Sequence, residues 1–229
     1  MAKIMLGSLA GAISGALGND VFSHNRGGAY VRRRVIPTKV VNDNTVLVRN
    51  ILTSCSRAWG TLDPEEQMAW NTWADSHPIT DRLGQKQVLF GAAAYTQLNS
   101  RIMRGGDTVI DLPPMTAAPS PFLTFTVAPE EATQTCLCAF TATPLAATER
   151  AWIQAALVTN PGRQYYANLL KLVSVSAKAL VTGVDIGPAI VDRFGAMQEG
   201  QLLHVMASVY ESTSGMLSGP TLHSIAVVA

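Results

Sequence analysis

A proline-rich stretch, DLPPMTAAPSP at residues 111–121, separates two parts of the sequence that have different hydrophobic periods. Before it, apolar residues recur at intervals of three and four positions, as in amphipathic helices. After it, apolar and polar residues alternate in short runs, as in half-buried strands. Because proline is excluded from helix interiors and central strands, we expect this stretch to be a linker. The sequence therefore predicts an α+β chain with a helical domain and a β domain.

Residues 38–110 are predicted to form the small helical domain. The first of its three helices is expected to have its N-cap at Asn44 or Thr45, and the third to cover 87–104 before a Gly-Gly stop. The second begins with Asp-Pro-Glu-Glu at 63–66, which supplies an N-cap, a proline at the first helical position and a capping-box glutamate.

Large aromatic residues recur on the predicted inner faces of these helices. Trp59 belongs to the first helix, and Trp70 and Trp73 belong to the second. The apolar stripe of the third helix is Phe90, Ala94, Tyr95, Leu98 and Ile102. We interpret the tryptophans as the shared core of a three-helix bundle, in preference to a sugar- or peptide-binding groove, because aromatic residues at helical spacing are usually buried.

Residues 122–229 are predicted to form an antiparallel β-sandwich. The β-prone runs are 122–127, 135–142, 152–159, 169–176, 202–211 and 224–228. Six or seven strands in a segment of this length fit the immunoglobulin or fibronectin type III architecture. Residues 187–197 break the alternation and predict a short helix, with Asp185 near its start.

The opening of the chain, residues 1–37, is apolar and punctuated by glycines. Its first residues are typical of a signal peptide, and Gly7, Gly11 and Gly15 have the spacing of packed membrane helices. However, the run ends at Asn19, short of the ~20 residues that span a bilayer. Each glycine also costs a helix roughly 1 kcal/mol relative to alanine. We therefore expect an ordered, partly extended arm that lies on another surface, with a secreted or anchored surface protein as an alternative.

A β-hairpin is predicted directly after this run. Its strands are 21–23 and 29–35, and glycines supply the turn. Strand alternation places Arg32 and Arg34 on one face and Arg33 on the other. These arginines either protect a solvated strand edge or pair with carboxylates of a neighbouring subunit or with packaged nucleic acid.

The sequence contains no recognisable catalytic or nucleotide-binding motif. There is no P-loop, G-x-G-x-x-G, G-x-S-x-G or H-E-x-x-H pattern. Cys136 and Cys138 share a strand face, but no second ligand pair accompanies them, and Cys55 stands alone. We expect all three to be buried thiols. The prediction is a protein that is not an enzyme and that uses no cofactor or metal.

Composition indicates that part of the surface is covered by other subunits. Only 14% of residues are charged, while 48% are hydrophobic. The charged share of an average protein is about a quarter. Residues 1–115 carry a net charge of +3 and residues 116–229 carry −2. Neither half has the charge of a dedicated nucleic-acid binder.

The opening resembles that of uncharacterised phage and prophage proteins. The matching patterns are G-x-I-S-G-x-L-G-x-x-V-F at 11–22, G-x-Y-V-R-x-R-x-x-P at 28–37 and W-x-x-L-x-x-x-x-x-x-x-W at 59–70. The resemblance covers roughly the first 105 residues and carries no catalytic residues. It implies a structural protein of the virion, made in the bacterial cytoplasm, whose partners are copies of itself and other virion proteins.

Two sets of residues are predicted to make contacts. The subunit interface on the arm consists of Ile4, Leu6, Leu9, Ile13, Leu17, Val21, Phe22, Arg32, Arg33 and Arg34. The alternative function, recognition of a host glycan or receptor by the sandwich, predicts exposed aromatic rings at Tyr165 and Tyr166. The location on the particle, whether capsid, portal region or tail, is left open by the sequence.

Overall fold

Residues 2–3, 13–25, 28–36, 42–80, 86–141, 143–160, 162–163, 165–181 and 183–229 are described by the structure, a computed structural model. The chain divides into two compact units, Met1–Val46 and Leu47–Ala229. The described ranges contain four α-helices and several antiparallel sheets, so the predicted α+β class is confirmed. The predicted interface residues Ile4, Leu6 and Leu9 lie outside the described residues.

The first unit, called the N-terminal unit below, contains a four-stranded antiparallel sheet in the order β1-β4-β3-β2. Its strands are β1 (Ala2–Lys3), β2 (Gly15–Leu17), β3 (Asp20–Asn25) and β4 (Gly28–Arg33). The predicted hairpin is present as β3 and β4. The expected arm differs from the structure in its described parts, because β1 and β2 pair with this hairpin.

A two-residue turn explains why the chain folds back here. Gly18 and Asn19 join β2 to β3, and Gly18 has a φ of +58°. The first central residue of a type II′ turn has a positive φ, which glycine adopts without steric cost. A Gly-Asn pair between two strand-like runs is a recognised hairpin signal, and it was available in the sequence.

The second unit, called the C-terminal unit below, begins with helices that share one hydrophobic cluster. The helices are α1 (Asp43–Trp59, which starts in the first unit), α2 (Pro64–Ser76) and α3 (Gly91–Gly105). The buried members of the cluster are Ile51, Cys55, Leu62, Trp70, Ala74, Ala94, Tyr95 and Leu98. The predicted capping box of α2 forms, with the Asp63 backbone N–H donating to the Glu66 carboxylate over 2.9 Å.

The starts of two helices differ from the sequence prediction. The cap of α1 is Asn42, whose side-chain oxygen accepts a hydrogen bond from the Thr45 N–H at 2.8 Å. Helix α3 starts at Gly91 rather than at 87, and Phe90, which was expected in its inner stripe, is exposed. The Gly91 N–H donates to Asn71 of α2 at 3.0 Å, and a Cβ at Gly91 would come within 2.5 Å of that amide oxygen. This contact fixes where α3 begins.

Two antiparallel sheets form the rest of this unit. A three-stranded sheet has the order β11-β8-β7, and a four-stranded sheet has the order β10-β9-β12-β13. The strands are β7 (Thr124–Glu130), β8 (Thr135–Thr141), β9 (Glu149–Val158), β10 (Lys171–Val175), β11 (Val184–Asp185), β12 (Leu202–Glu211) and β13 (Thr221–Ala226). A two-stranded sheet of β5 (Ile79–Thr80) and β6 (Lys86–Gln87) precedes α3.

One hydrophobic core lies between the two larger sheets. Alternate residues of β7, including Phe125 and Val127, point into it, as do Leu203 and Val205 of β12. The predicted short helix is present as α4 (Gly187–Phe194), and Ile190 packs into the same core. Its start is fixed by Asp185, whose Oδ1 accepts hydrogen bonds from the N–H groups of Gly187 and Cys136.

The proline-rich stretch lies against α2 and α3. The indole N–H of Trp70 donates to the Asp111 carbonyl at 2.7 Å, and that of Trp73 donates to the Pro114 carbonyl at 3.0 Å. The Asn99 side chain makes two further hydrogen bonds to the backbone of Ile110. A stretch expected to be a linker is therefore anchored to the helices, which belong to the same compact unit as the sheets.

Candidate functional site

The sheet of the N-terminal unit brings predicted interface residues together. Phe22 lies opposite Val31, Asp20 opposite Arg33, and Val21 opposite Arg32. Residues directly opposite each other in an antiparallel pair share a face of the sheet. Leu17, which pairs with Asp20, joins the face that carries Phe22, Val31 and Arg33. Each face therefore combines apolar side chains with one arginine of β4.

The N-terminal unit has no buried residue among positions 13–24, 29–36 and 42–46. Phe22 and its neighbours Val21 and Val31 are only half-buried. Leu17, Val35 and Ile36 are 75%, 76% and 78% exposed. A sheet normally packs one hydrophobic face against another layer, and a small sheet without such packing has little stability. The described part of this unit thus presents exposed apolar surface that contact with another protein surface would bury.

The same unit is strongly basic. Arg32, Arg33 and Arg34 are all exposed, and among the described residues only Arg33 has an acidic cross-strand neighbour, Asp20. Residues 1–46 contain six Lys and Arg against two Asp and Glu, a net charge of +4. Residues 47–229 contain eleven against fourteen, a net charge of −3. The charge of the chain is therefore divided unequally between the two units.

The two tyrosines proposed as a ligand surface lie in different environments. Tyr165 is exposed. The ring of Tyr166 stacks on His204 of β12, with centroids 3.7 Å apart and planes at 10°. Of the two tyrosines, Tyr165 is therefore the exposed one, while the Tyr166 ring packs on His204 of β12.

The buried His204 makes stability sensitive to acid. Its Nδ1 lies 2.7 Å from the Ser224 hydroxyl, and its Nε2 has no hydrogen-bond partner among the described residues. Burial lowers the pKa of His204, because desolvation disfavours the imidazolium. Its folded pKa is therefore below its unfolded pKa of about 6.5.

We expect the free energy of unfolding to fall as pH decreases from about 6.5 towards the folded pKa of His204, because the unfolded chain then binds more protons. Well above pH 6.5 this histidine binds no proton in either state, so the loss of unfolding free energy is absent there. Urea unfolding at several pH values should show a smaller decrease for His204→Gln than for the wild type. His77→Gln, at an exposed histidine, is the matched control. Equal pH dependence in the wild type and His204→Gln would contradict this assignment.

The tryptophans of the helical part have two roles. Trp70 is fully buried, as expected for a core residue. Trp73 is half-buried, and its ring stacks on His77 with centroids 4.1 Å apart. Trp73 and His77 also line a groove of 560 Å³ together with Leu112 and Met115. The sequence leaves core and groove as alternatives for the tryptophan cluster as a whole. In the structure Trp70 is a core residue and Trp73 lines the groove.

The three cysteines lie in the two hydrophobic clusters. Cys55, Cys136 and Cys138 are all buried and free, which confirms the expected burial. The side-chain hydrogen bond with Cys136, together with burial, raises the pKa of the Cys138 thiol. A protonated, buried thiol is a poor nucleophile. Across the described ranges, no group of three or more His, Cys, Asp or Glu residues could hold a metal ion.

Comparisons with known proteins give little information about function. No family model matches the sequence, and no curated protein matches it. Among solved structures the chain is similar to an Fn3-like protein from Clostridium thermocellum, with 12% sequence identity, a TM-score of 0.28, and coverage of 49% of this chain and 94% of that chain. Similarity at this level transfers no function. None of the helices in the described ranges has the length and hydrophobicity needed to cross a membrane.

Proposed function

We propose that this chain is a structural protein of a tailed-phage virion and that it assembles through its N-terminal unit. The observation that carries the proposal is the N-terminal unit, which has no buried residue among positions 13–24, 29–36 and 42–46. It leaves Leu17 of β2 exposed, together with Val35 and Ile36 just after β4. Such a surface is stabilised when another protein covers it. The resemblance of the opening residues to phage and prophage proteins supplies the setting.

The form of the proposed contact differs from a free arm settling on its neighbour. Strands β1 and β2 already pair within the chain, so a neighbour would receive a preformed sheet. Covering apolar surface contributes roughly 25 cal/mol per Å². A preformed sheet loses less conformational freedom on binding than an unpaired segment. Because the sheet is already formed, covering a small apolar area is enough to hold this protein on its neighbour in the particle.

The C-terminal unit is proposed to combine a three-helix bundle with a fibronectin type III-like sandwich. If β7, β8, β9, β10, β11, β12 and β13 are lettered A, B, C, C′, E, F and G, the sheets are E-B-A and C′-C-F-G. This arrangement supports the fibronectin type III assignment. Such modules serve as spacers and assembly units on many surfaces, and assembly requires no catalysis. We therefore propose that the protein is not an enzyme.

Removal of residues 1–36 tests the proposed function. The truncated protein should keep its fold, because both hydrophobic clusters lie in Leu47–Ala229. It should be lost from purified particles, because the covering contact is missing. Mass spectrometry of particles measures incorporation, and circular dichroism with thermal unfolding checks the fold.

A full-length Tyr165→Ala variant serves as the control, since this exposed residue lies outside the N-terminal unit. It should be incorporated as well as the wild type. Normal incorporation of the folded, truncated protein would refute the assembly role of the N-terminal unit.

A further inference from the structure

We infer that the partner of the N-terminal sheet is the C-terminal unit of a second copy of this chain, at an acidic corner formed by Glu130, Glu131 and Glu199. This inference rests on the proposed function, because it names the partner in that assembly.

The sheet requires a partner that is both acidic and apolar. Arg32, Arg33 and Arg34 are exposed, and among the described residues the ion pairs involve only Asp107 with Arg150 and Lys178. Arg32 and Arg33 of β4 and the adjacent Arg34 therefore have their charges available to a partner. The N-terminal unit has a net charge of +4 and the C-terminal unit −3, so a second copy offers the opposite charge. Complementary charges of this kind set orientation and suppress wrong partners.

The acidic corner is built from two distant segments. A carboxylate oxygen of Glu131 accepts a hydrogen bond from the Glu199 N–H at 2.8 Å, although the two residues are 68 positions apart. Glu130, at the end of β7, accepts a hydrogen bond from the Thr133 hydroxyl at 2.6 Å and pairs with Val228. Segments 128–137, 196–203 and 225–229, which form this corner, contain no Lys or Arg.

Apolar side chains accompany these carboxylates. Leu137 lies opposite Ala128 in the sheet and is exposed, and Val228 beside Glu130 is also exposed. The corner therefore offers the same combination of charge and apolar surface as the N-terminal sheet, with the opposite sign. Leu17 and Arg33 share one face of the sheet, so that face can place its apolar side chain and its positive charge at the corner together.

The two surfaces are different, so the contact is heterologous. A heterologous contact produces a ring or a filament, or a closed dimer when two copies exchange it reciprocally. Each outcome gives a species larger than a monomer. Because exposed charges contribute, the association should weaken when the salt concentration increases.

Sedimentation of the full-length protein at low and high salt tests this inference. The triple variant Arg32→Glu, Arg33→Glu, Arg34→Glu should weaken self-association about tenfold or more. The double variant Glu130→Lys, Glu131→Lys should do the same. An equimolar mixture of the two variants should associate again, because each supplies the charge that its partner has lost.

The matched control for the double variant is Glu65→Lys, Asp75→Lys, which makes the same change of net charge as Glu130→Lys, Glu131→Lys at exposed positions on α2. It should leave self-association within about twofold of the wild type, since charges far from a contact are screened. Circular dichroism of every variant excludes loss of folding as the cause.

Several results would overturn the inference. These are a wild-type protein that is monomeric at all concentrations, reversals that have no effect, and a mixture that fails to associate. If the partner of the sheet belongs to the same chain, the protein will be a monomer. If its partner is nucleic acid, the protein will be a monomer that binds duplex DNA through its arginines. A monomeric protein that is still incorporated into particles refutes this partner and leaves the proposed function standing. If the full-length protein self-associates but the truncated protein is incorporated normally, the proposed assembly function is refuted instead.

Discussion

Replacement of Trp70 with alanine is expected to lower the free energy of unfolding by about 3–5 kcal/mol. Trp70 is fully buried among the three helices. Its ring meets Tyr95 edge-on, with centroids 5.3 Å apart and planes at 85°. Its indole N–H also donates to the Asp111 carbonyl. Alanine would leave a cavity and remove the partner of that carbonyl at once.

Urea unfolding followed by circular dichroism measures this effect. Trp73→Ala is the matched control, because Trp73 makes an equivalent hydrogen bond to the Pro114 carbonyl from a half-buried position. Its effect should be clearly smaller. Trp70→Phe should lie between the wild type and Trp70→Ala, since it keeps an aromatic ring but loses the donor. Equal losses for Trp70→Ala and Trp73→Ala would show that burial does not set the stability of this cluster.

Asp107→Ala is the second change with a large expected effect, about 3–5 kcal/mol of unfolding free energy. Asp107 follows α3 and bonds to Arg150 of β9 over 3.0 Å. Their side chains are only 10% and 16% exposed. Removal of the carboxylate leaves the largely buried Arg150 guanidinium without its counter-charge, and that residual charge accounts for the large effect. The pair also connects the segment after α3 to β9, in the sheet β10-β9-β12-β13.

Lys178 provides an internal control for the second change. It contacts the same Asp107 oxygen at 2.7 Å, but its side chain is 43% exposed. Solvent screening limits such a pair to about 0–1 kcal/mol, so Lys178→Ala should have little effect. A double-mutant cycle with Asp107→Ala and Arg150→Ala measures the coupling between the two buried groups. Additive losses in that cycle would contradict the role given to the pair.

Local signals predicted the elements that local interactions determine. Strand β12 matches the predicted run 202–211, a continuous run of β-prone residues bounded by turn residues. The start of α2 follows from its capping box, which involves only residues 63–66. The β3–β4 hairpin is likewise predicted by the glycine-containing run between two strand-like segments in the sequence. In each of these cases, the residues that fix the structure are neighbours in the sequence.

Elements fixed by distant residues were placed less well. The start of α3 depends on Asn71, 20 positions earlier, and the sequence pattern alone favoured 87. The pairing of β2 with β3 changed the expected arm into part of a sheet. The ion pair between Asp107 and Arg150 spans 43 positions, and nothing in the local composition marks its members. The stacking of Tyr166 on His204 was hidden for the same reason.

The way the proline-rich stretch is attached has a consequence for mechanics. Two indole donors and the Asn99 amide fasten it to the helices between Ile110 and Pro114, where a flexible tether would have allowed the helices and the sheets to swing apart. Bending at this point requires the rupture of several hydrogen bonds together. Residues 47–229 should therefore respond to an applied force as one compact unit, and a force on the helices should be passed on to the sheets.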